Sequence, residues 1–290
     1  MKKIGISMTD PTDWTCVALQ NSIRRSGMEP LMLSLGDATS RIASDKLYSG
    51  NIDLADLDAI IVRDLGSSTK NDVSFRFDIL CQLEEMGVAI INSPDSIAKA
   101  ANKYVSSYIF QKNGITTPAT IVTNSLKEGI VALTTFGTAV SKPVFGYKGI
   151  GVECLRNNDK GRSRLMEIMK TNGLVYLQKF IANPGRDVRV FIVNNKVAGS
   201  IYRIAPEGNW INNLSQGGTA KPCTLTAKQE KLSLKASKAI GTTYAGVDII
   251  EGDRPYVIEI NGTPSGKGIF DATGVDVTVG VVEYLLDLVK

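Results

Sequence analysis

Three oxygen-bearing side chains near the carboxyl end of the chain could bind a divalent cation. Asp248 falls late in one predicted strand, and Glu259 and Asn261 fall late in the next. Residues two positions apart on a strand point to the same face, so these strands can present an Asp, a Glu and an amide oxygen together. Such an all-oxygen set suits Mg2+, whose shell also takes water and substrate phosphate oxygens. A pair of edge-facing acids in a hairpin remains the alternative.

A glycine-rich loop at residues 145–151 is the second candidate. Lys142 precedes this loop and Lys148 lies within it. Glycines let backbone N–H groups approach a phosphate closely, and the two lysines could meet its negative charge. The same composition also fits a simple flexible hairpin loop.

An aspartate and two arginines form the third candidate. Asp187 and Arg189 lie on one face of a predicted strand, and Arg203 follows on the next strand. Arginine binds phosphate and carboxylate groups with two parallel hydrogen bonds, so the set could hold an anionic substrate. A structural ion pair between Asp and Arg is equally compatible with the pattern.

A polar loop at residues 209–218 is the fourth candidate. It contains Asn212 and Asn213 and ends in two adjacent glycines. Amide side chains and paired glycines suit a loop that faces an anion, although a solvated turn has the same composition.

The absence of histidine restricts the chemistry available to the chain. The sequence has no histidine at all. This excludes Ser-His-Asp and Cys-His nucleophiles, imidazole general bases and His-ligated metals. Any catalysis must therefore use carboxylates, Lys, Arg, amides, backbone N–H groups and a metal bound through oxygen.

Strands and helices alternate over the first part of the chain, which would position these candidates. This alternation predicts an α/β unit with a parallel sheet covered on both faces. No G-x-G-x-x-G follows the first strand, so a dinucleotide site is not supported. The predicted strands are 3–7, 31–35, 59–62 and 88–91, and the predicted helices are 14–25 and 73–86.

The remainder of the chain predicts smaller α+β units. Ser93 and Pro94 have the residue types of a helix cap and a first helical position. Asn194 and Asn195 form the expected turn of a hairpin. The other predicted elements are a helix at 103–112, a strand at 119–122, hairpin strands at 188–193 and 196–203, a helix at 227–240, strands at 245–250 and 256–260, and a helix at 277–288.

Composition places the chain among ordinary globular proteins. The formal net charge is only +4 and there is no long basic run, so we expect no nucleic-acid partner. No apolar run approaches the roughly 20 residues that span a membrane. The four cysteines are scattered without a C-x-x-C pair. We expect them to be buried small hydrophobes in a reducing compartment, the cytoplasm.

The order of these motifs resembles the ATP-grasp superfamily, and in particular its RimK-like glutamate ligases. The resemblance covers residues 88–280 and rests on the segments NSPDSIAKAANKY, KPVFGYKGIGV, LQKFIANPGRDVRVFIV, NNLSQGGTA, AGVDII and IEINGTPSGKGI. Two departures occur. Pro143 follows the second lysine of the pattern, and Thr263–Gly266 differs from the commoner small-residue, Ser-Pro-Gly ending, which could alter the acceptor site.

The resemblance implies an ATP-grasp fold in three units. We expect an N-terminal parallel-sheet domain over 1–95, a small central lobe with a glycine-rich lid over 96–180, and a C-terminal lobe for ATP and magnesium over 181–290.

The resemblance also implies site residues. Arg189 and Arg203 are expected to be catalytic, as ligands of phosphate, of the acceptor carboxylate or of the tetrahedral oxyanion. Asp248, Glu259 and Asn261 are expected to bind Mg2+, for which Mn2+ may substitute. The expected ATP contacts are Lys103 and Lys142 at the phosphates, Gly149 in the lid, Gln178, Lys179, Phe180 and Ile181 beside the adenine, Asp187 near the ribose, and Asn212 and Asn213 at phosphate or the metal shell.

The implied activity is an ADP-forming carboxylate–amine ligase that acts through an acylphosphate. Relatives of this type add an amino acid, often L-glutamate, to a carboxylate. The best-fitting acceptor is a pterin cofactor; the deazaflavin coenzyme, a carrier protein and a ribosomal-protein C-terminus are alternatives. A non-catalytic nucleotide-binding regulatory module is the alternative from another class. We expect a homo-oligomer. Candidate acceptor contacts in the N-terminal domain, each of which could instead be a core or surface residue, are Trp14, Arg63, Ser67, Ser68 and Arg76.

Overall fold

The structure of the chain, a computed structural model, describes residues 1–66, 70–146 and 149–290, with the side chains of residues 70 and 71 left aside. Lys148 of the glycine loop therefore lies outside the described residues, as do the candidate acceptor contacts Ser67 and Ser68.

The first part of the chain forms a four-stranded parallel sheet, the N-terminal sheet, in the order β2-β1-β6-β7. A small antiparallel sheet of polar, short strands, β3-β4-β5, is inserted between β2 and β6. No alternation in the sequence predicted this insertion. The elements are β1 (Lys3–Ser7), α1 (Trp14–Arg25), β2 (Glu29–Leu33), β3 (Ala38–Arg41), β4 (Lys46–Ser49), β5 (Ile52–Asp53), β6 (Ala59–Val62), α2 (Lys70–Glu85) and β7 (Ala89–Ile91).

Helices α1 and α2 cover the two faces of the N-terminal sheet, as the alternation predicted. The α1 helix begins where the Asp13 carboxylate accepts hydrogen bonds from the backbone N–H groups of Thr15 and Cys16, an N-cap. Its apolar side joins one core cluster with β1, whereas Leu80 of α2 joins a second cluster with β6. Both helices therefore turn their apolar sides toward the strands.

The middle of the chain forms an antiparallel sheet, the central sheet, in the order β10-β9-β11-β8. The predicted helix start at Ser93 is confirmed, because its side chain caps the next helix and Pro94 is the first residue of that helix. The elements are α3 (Pro94–Ala101), α4 (Lys103–Lys112), β8 (Thr120–Thr123), α5 (Leu126–Phe136), β9 (Thr138–Lys142), β10 (Glu153–Arg156), α6 (Asp159–Asn172) and β11 (Val175–Lys179).

The last part forms a five-stranded antiparallel sheet, the C-terminal sheet, in the order β14-β13-β12-β15-β16. The predicted hairpin is confirmed: Asn194 and Asn195 have φ of 47° and 57°, and a two-residue type I′ turn requires positive φ at both positions. The elements are β12 (Arg186–Val193), β13 (Lys196–Ile204), β14 (Thr219–Pro222), α7 (Ala227–Ile240), β15 (Tyr244–Glu251), β16 (Pro255–Asn261), α8 (Lys267–Thr273) and α9 (Thr278–Leu288).

A buried amide joins the N-terminal and C-terminal sheets. Asn92, directly after β7, is fully buried. Its Nδ2 donates to the carbonyl oxygens of Tyr244 and Gly262, and its Oδ1 accepts from the backbone N–H groups of Thr243 and Tyr244. This one side chain therefore fixes the start of β15 and the end of β16 against the N-terminal sheet.

The cysteines depart from expectation in one respect. All four thiols are free, but only Cys16 is buried; Cys81 and Cys223 are half-buried and Cys154 is exposed. The prediction that all four are buried is wrong, because Cys154 lies on β10, the edge strand of the central sheet. Within the described ranges, the helices are too short or too polar to cross a lipid bilayer.

We expect Asn92→Ala to destabilise the protein by about 2–4 kcal/mol, because it removes several hydrogen bonds and leaves buried backbone groups unsatisfied. Denaturant unfolding would measure this loss. Asn113→Ala is the matched control, because the exposed side chain of Asn113 donates one hydrogen bond, to the Ile109 carbonyl oxygen. Equal stability of the two variants would contradict the role of Asn92 as the tie between sheets.

Candidate active site

The strand register of the C-terminal sheet brings the predicted charged residues into two neighbouring rows. Arg189 on β12 lies opposite Asp248 on β15, and Asp248 lies opposite Glu259 on β16. On the other side of β12, Asp187 lies opposite Arg203 on β13. Asp187 and Arg189 share a face because they are two residues apart. The four residues Asp187, Arg189, Arg203 and Asp248 form what we call the charge network.

The contacts within the charge network are close and buried. Arg203 donates to both carboxylate oxygens of Asp187, at 2.8 and 2.7 Å, and its Nη2 lies 2.8 Å from Oδ2 of Asp248. Arg189 donates to both oxygens of Asp248. The side chains of Asp187, Arg203 and Asp248 are each at most 6% exposed. The alternative of a structural Asp–Arg ion pair is therefore realised, and any catalytic role of the arginines stays a prediction.

The acids of the charge network respond differently to burial. Burial raises the pKa of Asp187 above its ordinary value, and this effect outweighs the opposing charge of Arg203. Burial acts in the same direction on Asp248, but Arg189 and Arg203 together hold its pKa below the ordinary value. Asp248 is therefore the acid that the two guanidinium groups keep ionised.

Two buried lysines, Lys103 and Lys142, lie near Glu259. Lys103 begins α4, and its Nζ lies 3.1 Å from Oε1 of Glu259 and donates to the Gly146 carbonyl oxygen. Lys142 ends β9 and donates to Oε1 of Gln178 at 2.8 Å. Burial lowers the pKa of Lys142 to about 8, an effect that Glu259 partly opposes. Lys142 has no anionic contact of its own among the described residues.

A cleft of about 850 Å3, measured with its open mouth, separates the central and C-terminal sheets. One end is charged and the other is lined by apolar side chains from both sheets. Of the residues predicted to bind ATP or metal or to act in catalysis, the following line it: Lys103, Lys142, Gly149, Gln178, Lys179, Phe180, Ile181, Asp187, Arg203, Asn212, Asn213, Asp248 and Glu259.

Sequence reasoning missed much of the apolar end of the cleft. Val140, Trp210, Ile250 and Ile258 line it. Alternation from Asp248 could have indicated Ile250, which lies two residues further along β15. Ile258 could not be found in this way, because a register shift between Asp248 and Ile249 lets Ile258 and its neighbour on β16 both reach the cleft.

Two predicted residues stand apart from the cleft wall. Neither Arg189 nor Asn261 is among the described residues that line the cleft. Arg189 lies behind Asp248, and the Asn261 Oδ1 accepts a hydrogen bond from the backbone N–H of Thr263 at 2.8 Å. Their predicted roles as a catalytic group and a metal ligand are not tested by these contacts.

The oxygen donors of the cleft fit a magnesium ion. Over residues 1–66, 70–146 and 149–290 there is no cluster of three His, Cys, Asp or Glu side chains that could hold a metal. Mg2+ needs only one or two carboxylates, with water and phosphate oxygens completing its shell. Asp248 and Glu259 lie opposite each other, and the buried Oδ1 of Asn212 has no hydrogen-bond partner. Asp248 pairs with Arg189 and Arg203 and Glu259 pairs with Lys103, so the Asn212 Oδ1 is the acceptor of this set without a partner among the described residues.

The glycine loop meets the asparagine loop across the cleft. Gly149 has a φ of +75°, which side chains other than glycine rarely adopt. A Cβ at this position would lie 3.1 Å from Oδ1 of Asn213 and 3.3 Å from the Ile211 side chain. Gly149 is thus required both by its backbone conformation and by the close approach of the opposite wall.

Known proteins are similar to this chain in sequence and in fold. A family model for the RimK-like ATP-grasp domain matches residues 100–285. Tetrahydromethanopterin:alpha-L-glutamate ligase of Methanosarcina acetivorans is 42% identical over 99% of this chain and 100% of its own length. The enzyme of that name from Methanocaldococcus jannaschii is 38% identical over 84% of each chain. The solved structure of the ATP-grasp ligase PsnB with minimal precursor has a TM-score of 0.79 at 19% identity over 99% of both chains.

The N-terminal, central and C-terminal sheets, with a cleft between the central and C-terminal sheets, define an ATP-grasp fold, as the sequence predicted. The chain belongs to the RimK-like ATP-grasp ligase family, since the family model covers most of its length and close relatives align over nearly all of it.

We expect Arg203→Met to destabilise the protein by about 3–5 kcal/mol at neutral pH, because it leaves Asp187 and Asp248 buried side by side with less positive charge. The remaining carboxyls would then have raised pKa values in the folded state, so the loss should shrink as the pH falls toward the acidic range. Thermal unfolding as a function of pH would measure this.

Arg186→Met on the same strand pair removes a more exposed ion pair with Glu251 and should show a much smaller loss at every pH. A loss for Arg203→Met that grows on acidification would contradict the argument.

Proposed function

We propose that the chain catalyses ATP- and Mg2+-dependent ligation of L-glutamate to a carboxylate of tetrahydromethanopterin, which would give tetrahydrosarcinapterin. The observation that carries the proposal is the cleft, which joins two buried lysines and an acid pair at one end to an apolar slot at the other. The names of the most similar relatives supply the acceptor.

The two ends of the cleft fit the two parts of a nucleotide. Phe180, Trp210 and Ile250 offer flat or branched apolar surface for a base. Phe180 and Trp210 already make an edge contact, with ring centroids 6.2 Å apart. At the other end Lys142, which lacks an ion pair among the described residues, would meet phosphate, and Gly149 would let the backbone approach it.

The residues present suggest how the chain would support the reaction. One oxygen of the acceptor carboxylate attacks the γ-phosphorus of ATP, and ADP leaves. The glutamate amine then attacks the carbonyl carbon of the acylphosphate, phosphate departs with that oxygen, and the amine loses a proton. Asp248, Glu259 and Asn261 would hold Mg2+, which when bound neutralises phosphate charge. Lys103 and Lys142 would bind and orient the phosphates.

The charge network would serve the second half of the reaction. Arg203 lines the cleft and is held by Asp187 and Asp248, and Arg189 in turn holds Asp248, so the Arg203 guanidinium is fixed before substrate arrives. Preorganised donors of this kind stabilise the negative charge that develops on a carbonyl oxygen. The glycine loop opposite Asn213 would exclude water from the acylphosphate. Substitution by Mn2+, the three-domain division, a homo-oligomeric state and a cytoplasmic location stay predictions from the sequence.

Binding of ATP near pH 8 should take up about half a proton at Lys142. Burial lowers the pKa of this lysine to about 8, and phosphate would restore the charged form, so protons are taken up from solvent. The uptake should vanish at about pH 6, where the free enzyme already carries the proton. Calorimetry in buffers of different ionisation enthalpy would measure it. Lys142→Arg, which stays charged, should bind ATP without the uptake; equal uptake by both proteins would contradict the assignment.

Heavy oxygen placed in the acceptor carboxylate should appear in inorganic phosphate, one atom for each amide formed. The acylphosphate route requires this transfer because phosphate leaves with the bridging oxygen. Mass spectrometry of phosphate and of the glutamylated pterin would measure it, and omission of glutamate is the control. Amide formation without label in phosphate would rule out the acylphosphate.

The same assay separates the alternatives. Glutamate-dependent ligation to the deazaflavin coenzyme, a carrier protein or a ribosomal-protein C-terminus, and not to tetrahydromethanopterin, would keep the ligase and replace the acceptor. Binding of ATP without amide formation on any of these acceptors would favour a regulatory nucleotide-binding module.

A further inference from the structure

A second cavity lies where the N-terminal sheet changes winding direction. The chain passes from β1 to β2 on one side, whereas β6 lies on the other side of β1. The connections that follow β1 and β6 therefore lead toward opposite edges of the sheet, and in open α/β sheets ligands bind at this switch point. A solvent-open pocket of about 500 Å3 is found here, lined by Met8, Thr9, Ser34, Leu35, Gly36, Asp64, Leu65, Gly66 and Arg76. We call it the switch-point pocket.

A buried arginine forms the floor of the switch-point pocket. Arg76 projects from α2 and is only 9% exposed. Its Nη1 donates to the Leu65 carbonyl oxygen at 2.9 Å, and it makes no ion pair in the part of the chain that the structure describes. Among the described residues of the lining, the acid is Asp64, which accepts hydrogen bonds from the backbone N–H of Gly66 in its own loop and from the backbone N–H and hydroxyl of Thr9 in the loop after β1. With respect to residues 1–66, 70–146 and 149–290, the guanidinium therefore has N–H donors beyond the one at Leu65 that a ligand could use.

Two glycines keep the approach to Arg76 open. Gly66 has a φ of +77°, and a Cβ there would lie 2.5 Å from Nη1 of Arg76. A Cβ at Gly36 would lie 3.9 Å from Nη2 of Arg76 and 3.3 Å from Oγ of Ser34. Any side chain at either position would enter the space above the guanidinium. The pocket thus has a positive group, a nearby hydroxyl and room for a small oxyanion.

Contacts at the rim connect this pocket to the proposed active site. Arg63, next to Asp64, donates to the Thr263 carbonyl oxygen at 2.6 Å and pairs with Asp13. Thr263 follows the proposed metal ligand Asn261 by two residues and donates its backbone N–H to it. The loop after β6 therefore lines the switch-point pocket with Asp64 and, one residue earlier, contacts the loop that follows the proposed metal ligand.

From this geometry we propose that the switch-point pocket is an anchoring site for the acceptor substrate, in which Arg76 and Ser34 bind an anionic oxygen group of the acceptor other than the carboxylate that is ligated. The shared chemistry is a carboxylate or phosphate oxyanion. The proposal rests on the proposed ligase function and adds that the acceptor must carry a second anionic group. Arg76 is a binding residue here and takes no part in the transfer steps.

Arg76→Gln should raise the KM for tetrahydromethanopterin roughly 10- to 100-fold, because a charge-assisted pair of hydrogen bonds is lost. The KM values for ATP and glutamate and the kcat at saturating acceptor should stay near those of the wild type. Arg76→Lys, which keeps the charge but not the planar fork, should recover part of the loss. Arg24→Gln, on the exposed side of α1, is the matched control.

A second variant covers the possibility that Arg76→Gln folds poorly. Gly36→Leu would fill the pocket and leave Arg76 in place, and it should raise the acceptor KM selectively as well. The Nε–H NMR signal of Arg76, assigned by its loss in Arg76→Lys, should shift on addition of acceptor and not on addition of MgATP alone. Acceptor analogues that carry either a carboxylate or a phosphate as the second anion would tell the two sources apart.

The outcomes separate the inference from the function on which it rests. Normal ligation by Arg76→Gln and Gly36→Leu with an unchanged acceptor KM, or an Arg76 signal that does not respond to acceptor, would overturn the anchoring site and leave the ligase intact. Failure of the wild-type protein to ligate glutamate to any acceptor tested would overturn both.

Discussion

The charge network in the C-terminal sheet is the constraint around which the site is built. Two acids and two arginines cannot remain buried unless each has a partner, because an unpaired buried charge costs several kcal/mol. Here Arg203 contacts both Asp187 and Asp248, and Arg189 closes the set. These contacts form only if β12 pairs with β13 and β15 in the observed register. The geometry of the proposed active site therefore depends on the strand pairing.

Outside the charge network, the cleft contains charged side chains that a ligand can contact. Glu259 is the more exposed acid, and its partner is Lys103, which also donates a hydrogen bond to the Gly146 carbonyl oxygen of the glycine loop. Lys142 is held by the neutral Gln178 instead of an acid. A bound nucleotide could therefore meet both lysines, while the proposed cation would meet Glu259 and the Asp248 carboxylate that Arg189 and Arg203 also contact.

A few contacts between residues far apart in the chain join the N-terminal domain to the segment after β16. Asn92 fixes the Gly262 carbonyl oxygen, and Arg63 fixes that of Thr263. Trp14 packs against Phe270 with ring centroids 4.9 Å apart. These contacts set the carboxyl ends of the parallel strands against the loop that follows Asn261. An acceptor bound between them would have one end over the N-terminal sheet and its reacting end at the cleft.

The sequence by itself determined the family and most of the larger elements, because these depend on local signals, but it did not predict the inserted sheet β3-β4-β5. The cap at Ser93, the turn at Asn194 and Asn195, the helices 14–25, 103–112 and 227–240, and the order of the motifs could all be read from short segments. Only the tertiary structure decided which charges meet. The pairing of Arg203 with both Asp187 and Asp248 depends on strand register, and the place of Ile258 in the cleft wall depends on a register shift. The pocket above Arg76 depends on which way successive strands are added to the sheet. These are relations between segments far apart in the chain, set by the packing of whole elements, and no local pattern of residues encodes them.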